Sequence, residues 1–190
     1  MLNYPLDLRF KILAALPQVK VSDAAGQVVM YVREKLALKT AVRVFADESQ
    51  QHQLYSITAD KVIGLTITYN ITTVMGGPVG AVRRLGMKAL WKATYPILDA
   101  TGAEVGVIHE ENPWIKVLDG LLSDVPLVGM YINPAYLVEL RGQTVLRIQK
   151  QPAVMEGKFA VELKGQFSEA EERLLLPAII MFIMLERSRG

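Results

Sequence analysis

The chain has 190 residues, of which 51% are hydrophobic and 21% charged, with a formal net charge of +2. That length holds one well-buried domain or at most two small ones. The hydrophobic content excludes a disordered chain, and the near-neutral balance argues against a nucleic-acid partner. Cysteine is absent, which excludes a disulfide framework and thiol chemistry and fits a cytoplasmic location.

The first residues, MLNYPLDLRFKIL, carry Asp7, Arg9 and Lys11 inside an apolar stretch and lack a basic start. They make a poor secretory signal. Val21, Gly26, Val29 and Val32 in VSDAAGQVVMYV read as two short apolar strands around a glycine-containing turn, the pattern of a β-hairpin. Ala41–Phe45 and Gln53–Ile57 are further short strand candidates. The pattern then returns in full. Residues 69–82, YNITTVMGGPVGAV, align without gaps with 95–108, YPILDATGAEVGVI, matching Tyr69 with Tyr95, Ile71 with Ile97, Gly76 with Gly102 and Gly80 with Gly106. Gly76-Gly77-Pro78-Val79-Gly80 is not a phosphate loop, because a strand-like VGAV follows where such loops need a helix N-terminus.

Arg83, Arg84, Lys88 and Lys92, with Trp91 beside them, form the densest basic cluster of the chain. It is expected either to meet anionic lipid headgroups or to guard a sheet edge as a solvated strand end. Lys88–Thr94 is one more strand candidate. His52 and His109 are too far apart in sequence to make a metal site by spacing. From Asn112 to Asp124 the period changes. Asn112 is a good N-cap and Pro113 a good first helical residue, and Trp114, Ile115, Val117, Leu118, Leu121 and Leu122 share one face. An amphipathic helix is expected over about 113–123. It caps an open end of the fold or, through Trp114, Leu118 and Leu121, touches a membrane or a partner. The segment 125–136 is uncharged but broken by Pro126 and Pro134, so it is not read as a transmembrane span.

Leu137, Gly142, Val145 and Ile148 give a fourth copy of the hairpin, and Phe159, Val161 and Leu163 alternate cleanly onto one face of a strand over 158–163. The C-terminus, SEAEERLLLPAIIMFIMLERSRG, opens with Ser168 and Glu171 in a capping box. It then runs uncharged from Leu174 to Leu185. A helix apolar all round needs an apolar surround, and a run of about 10–14 residues is too short to cross a bilayer. A central helix over about 168–187 is therefore expected inside the domain. Counting both arms of four hairpins and the extra strands gives about a dozen, and a barrel of that size has a lumen its own side chains cannot fill. The fold class expected is a single mainly-β domain over 1–190: a closed antiparallel barrel of about twelve strands around the hydrophobic C-terminal helix.

The repeated hairpin with its glycine, the stretch YVREKLALKTAVRVFADE at 31–48, and FAVEL followed by an apolar helix resemble the Tubby C-terminal-like superfamily, in its LURP-one-related and phospholipid-scramblase branch. The resemblance runs from Val19 to Glu186 and implies a barrel of about twelve strands around a C-terminal helix. Members include phosphoinositide-binding and membrane-acting proteins. The scramblases have a calcium segment with an Asp-x-Asp before the FAVEL-like strand. Here the corresponding stretch is Val154-Met155-Glu156-Gly157, which cannot supply the six or more oxygens that calcium takes. No cofactor or metal is expected, and no nucleophile signature such as G-x-S-x-G occurs. The expected function is a non-enzymatic, cytoplasmic binding module, peripheral at the membrane if it binds anionic phospholipid, or otherwise a binder of a protein partner. The rival is a membrane-inserted, scramblase-like protein with Leu174–Leu185 in lipid.

Overall fold

In a computed structural model the chain forms a closed barrel of twelve antiparallel strands with one helix along its axis. The residues described are 1–11, 18–33, 42–60, 66–85, 94–112, 134–152 and 156–187. The strands are β1 (Leu6–Lys11), β2 (Gln18–Ser22), β3 (Val28–Arg33), β4 (Val42–Phe45), β5 (Gln53–Ala59) and β6 (Ile67–Thr73), then β7 (Pro78–Arg84), β8 (Thr94–Asp99), β9 (Glu104–Glu110), β10 (Ala135–Leu140), β11 (Gln143–Gln151) and β12 (Glu156–Leu163). Each strand pairs with its neighbours in sequence, and β1 closes on β12 with Leu8 opposite Phe159. The helix α1 spans Glu169–Arg187.

Alternation dictates which side faces in. In β1, Leu6, Leu8 and Phe10 are buried, while Asp7, Arg9 and Lys11 point out. This strand is not among those expected from the sequence, although its period of two is plain in LDLRFK. In β12, Phe159 and Val161 are buried, but Leu163 is 45% exposed. It has the inward parity expected for it, yet it ends its strand at the barrel rim, where the wall stops covering it. The candidate strand Lys88–Thr94 lies outside the described residues except for Thr94, which opens β8. The expected helix over 113–123 lies outside them as well.

The four hairpin glycines sit in turns: Gly26, Gly76, Gly102 and Gly142 all have φ between 78° and 85°, a region that penalises a Cβ. In two of these turns an aspartate secures the backbone. Asp23 Oδ1 accepts from Ala25 N at 3.0 Å and Gln27 N at 2.8 Å, and Asp99 Oδ1 accepts from Thr101 N at 2.8 Å and Ala103 N at 3.0 Å. Each hairpin also shifts register before its turn, after Val21, Ile71, Ile97 and Val138. The fourth copy departs by one residue from the sequence alignment. Its turn is the pair Arg141-Gly142, both with positive φ, rather than four residues. The inward residue matching Ile71 and Ile97 is therefore Val138, fully buried, while Leu137 faces out beside His109 and Arg147.

Every residue of α1 from Leu174 to Leu185 is buried. Each large apolar side chain of such a run contributes about 1.5–3 kcal/mol on burial, whereas a helix cap contributes about 1 kcal/mol, so packing into the lumen is what holds the helix. The lumen is apolar, and the outer wall carries Arg9, Lys20, Arg147, Lys158 and Glu162. This is the reverse of the apolar-out, polar-in alternation of transmembrane barrels. Among the described residues no helix is long and apolar enough to cross a membrane.

Candidate functional site

The up-and-down path gives the barrel two unlike poles. The hairpin turns, the start of β1 and the start of α1 share one, the helix-start pole. The other, the helix-end pole, gathers the ends of β1, β3, β5, β7, β9 and β11, the starts of β2, β4, β6, β8, β10 and β12, and Arg187. The strand ends that flank 12–17, 34–41, 61–65, 86–93, 113–133 and 153–155 all lie at this second pole.

Arg83 and Arg84 are the last two residues of β7, at the rim of the helix-end pole. Being consecutive in a strand, they point to opposite faces. Arg83 lies on the outer wall across from Thr68. Arg84 shares the inward parity of Val82, with its guanidinium beside the Tyr69 hydroxyl. Burial pushes that hydroxyl's pKa up, and the Arg84 guanidinium partly offsets the rise. The two arginines are thus not one patch. Lys88 and Lys92 lie outside the described residues, and so do Trp114, Leu118 and Leu121. What the fold does bring together is the strand end leading into 86–93 and the strand end leading into 113–133, on one pole.

Inside this pole lies a polar cluster that was not legible in the sequence. Glu186, in the last turn of α1, accepts hydrogen bonds from Tyr95 Oη at 2.5 Å and Tyr136 Oη at 3.1 Å. A carboxylate at a helix C-terminus opposes the helix dipole, and two phenolic donors compensate for it. Phe182, one turn earlier, meets both rings edge-on, with centroids 5.0 and 4.8 Å away. Glu110 is 2% exposed. Burial, and then the charges of Glu186 and Glu110, push the Tyr136 hydroxyl well above its ordinary range. The Arg187 guanidinium lies 5.5 Å from the centre of the Phe10 ring. The one signal available in sequence was the tyrosine shared by Tyr69 and Tyr95, which the structure extends to Tyr136: all three are buried and point inward.

At the helix-start pole, Glu172 is 7% exposed and accepts from Leu2 N at 2.9 Å and Tyr4 Oη at 3.2 Å, which ties the N-terminal segment to the helix. Ser168 and Glu171 form the capping box, with Ser168 N donating to Glu171 Oε2 at 2.7 Å and Glu171 N to Ser168 Oγ at 3.3 Å. His109 Nε2 meets Glu139 Oε1 at 3.0 Å on the outer wall, and His52 sits at the helix-start pole between β4 and β5. Among the described residues no group of three His, Cys, Asp or Glu is placed to hold a metal. A wall groove of about 420 Å³ over β1–β3 is lined by Asp7, Arg9, Lys11, Lys20 and Glu48 among others. Its charges are largely matched: Arg9 bonds Asp7 at 2.8 Å and Lys20 bonds Glu48 at 2.5 Å.

The fold and site thus define a closed twelve-stranded barrel filled by its own C-terminal helix, with two chemically different poles. In comparisons with family models, with curated proteins and with solved structures, nothing matches the chain.

Proposed function

We propose that this protein is a non-enzymatic module that binds anionic lipid headgroups at its helix-end pole, with Arg83, Arg84, Lys88 and Lys92 supplying charge and Trp114, Leu118 and Leu121 apolar contact. The observation that carries this reading is the convergence of the two strand ends. Residues 83–84 and the strand end before 113–133, far apart in sequence, belong to one pole. Each basic residue near an anionic surface contributes about 1 kcal/mol, and tryptophan is favoured at the membrane–water interface. The resemblance to a superfamily with lipid-binding members supports the same reading. The rival arrangement, with Leu174–Leu185 in lipid, would require the helix to leave a lumen that buries it throughout.

The test is flotation of the full chain with acidic and neutral liposomes. Binding to acidic liposomes is expected to weaken with added salt, since exposed charges are screened over about 8 Å at physiological ionic strength. Arg83→Ala is expected to lower binding. Arg84→Ala should also loosen the Tyr69 contact, so its fold is checked by circular dichroism. Trp114→Ala lowers binding only if the apolar residues insert. A wild-type protein that ignores acidic liposomes at low salt sinks the lipid reading and leaves a module for a protein partner.

A further inference from the structure

The formal charge of +2 conceals a separation of charge along the barrel axis. At the helix-start pole, carboxylates predominate in the turns and strand ends: Asp47, Glu104 and Glu169 are exposed there, and Asp23 and Asp99 are half-buried. Among the described residues the cations at that pole are the Met1 amino group, Arg141, Lys164 and Arg173, of which Met1 N bridges Glu169 at 3.2 Å, Arg141 is tied to Glu171 and Lys164 to Glu162. At the helix-end pole the last residues of β1, β3, β7 and α1 are Lys11, Arg33, Arg84 and Arg187, and Lys150 is the penultimate residue of β11. Lys11, Arg33 and Lys150 are exposed. The carboxylates of this pole are placed differently. Glu110 is buried, Glu186 is held by two tyrosines, Glu111 bonds Arg147 at 2.8 Å, Glu156 opens β12 across from Lys11, and Asp60 is exposed.

From this distribution, and resting on the lipid reading above, we infer that the barrel docks pole-on. The helix-end pole faces the anionic surface, the barrel axis lies along the membrane normal, and the acidic helix-start pole points away. The dimensions make this favourable despite the small net charge. A seven-residue strand rises about 23 Å, or about 18 Å along the axis of a barrel whose strands tilt about 40°. That is roughly two Debye lengths at physiological salt, so an anionic surface attracts the near pole and barely senses the far one. The sequences between the flanking strand ends decide between lipid and nucleic acid. Residues 12–17 (ILAALP), 86–93 (GMKALWKA) and 113–133 are largely apolar in sequence and contain both tryptophans of the chain. A bilayer interface rewards apolar residues and tryptophan, whereas a phosphate backbone rewards cations alone.

The test uses the full chain with vesicles of phosphatidylcholine, with or without phosphatidylserine. Combined Lys11→Gln, Arg33→Gln and Lys150→Gln, all away from the Arg83–Lys92 cluster, should weaken binding to the acidic vesicles by about fivefold per cation removed. Asp99→Asn with Glu104→Gln at the far pole should change it less than about twofold, because of the screening. Because the chain lacks cysteine, Asp60→Cys and Thr101→Cys each give a single labelling position, one at each pole. Quenching by headgroup-labelled vesicles of the label at 60 but not of the label at 101 supports pole-on docking. If wild-type protein binds but the triple variant binds equally well, or both labels are quenched alike, the inference is overturned and the lipid reading stands. If wild-type protein binds neither vesicle, or binds duplex DNA in their place, the lipid reading falls and the inference with it.

Discussion

Two glycines of the same hairpin repeat are present for different reasons, and substitution separates them. Gly102 needs its positive φ, but a Cβ there would meet nothing within 4 Å. Gly80 lies where β7 passes β8, and a Cβ would stand 2.3 Å from the Leu98 carbonyl oxygen and 2.6 Å from Leu174 Cδ1. A backbone oxygen in a sheet cannot step aside as a flexible side chain can. Gly102→Ala is expected to cost about 1–2 kcal/mol, the penalty of the left-handed region for an L-residue. Gly80→Ala should cost more, because overpacking of about 1–3 kcal/mol adds to its own positive φ of 152°. Urea unfolding of both variants checks the order, and an equal or smaller loss for Gly80→Ala would refute the close-approach account. Both glycines are visible in the sequence as a repeat. Their different duties are not, because the neighbour that crowds Gly80 is in another strand.

At the scale of the element, α1 is capped as its first residues predict, and the cap is linked to pH. Hydrogen bonds from the Ser168 backbone and hydroxyl, with Arg141 beside them, hold the Glu171 carboxyl below the usual carboxylate range. Its folded pKa is therefore lower than its unfolded one. The contribution is present in full above the unfolded value, about 4.3, and is lost as pH falls through the folded value. Glu171→Ala should lower stability by about 1 kcal/mol at neutral pH. For a chain of this size that is a drop in Tm of about 2–4 °C. The gap between wild type and variant should close below about pH 4. Thermal scans from pH 7 to pH 3 measure it, and a gap that stays constant with pH would show that the carboxylate charge contributes nothing. The capping box could be read from Ser168 and Glu171 alone, because it is local. The bond from Arg141 could not, because that residue arrives from the β10–β11 turn.

For the whole molecule, the decisive relation is between barrel and helix. Ile180 and Phe182 are 1% and 0% exposed, and an unpaired charge in such a place costs several kcal/mol. Ile180→Asp or Phe182→Asp is expected to prevent soluble folding, read out as loss of soluble monomer and of native circular dichroism. Well-folded protein carrying either charge would rule out the central position of α1. The sequence by itself determined the repeat, the turns, the apolar run of 174–185 and hence a large barrel around a helix, because hairpins and caps are local and an all-apolar helix has only one kind of surround. It also contained β1 in the alternation of LDLRFK, a strand visible as a period of two but absent from the sequence-based count. Only the tertiary structure decided that Arg83 and Arg84 point to opposite faces, that Val138 rather than Leu137 faces the core, and that Tyr95, Tyr136 and Glu186 meet in one cluster. Above all it decided which strand ends share a pole. Sequence spacing fixes what each strand presents, but the up-and-down pairing of the twelve strands is what gathers exposed cations at one end and most exposed carboxylates at the other, and closing that barrel takes contacts between β1 and β12, more than a hundred positions apart.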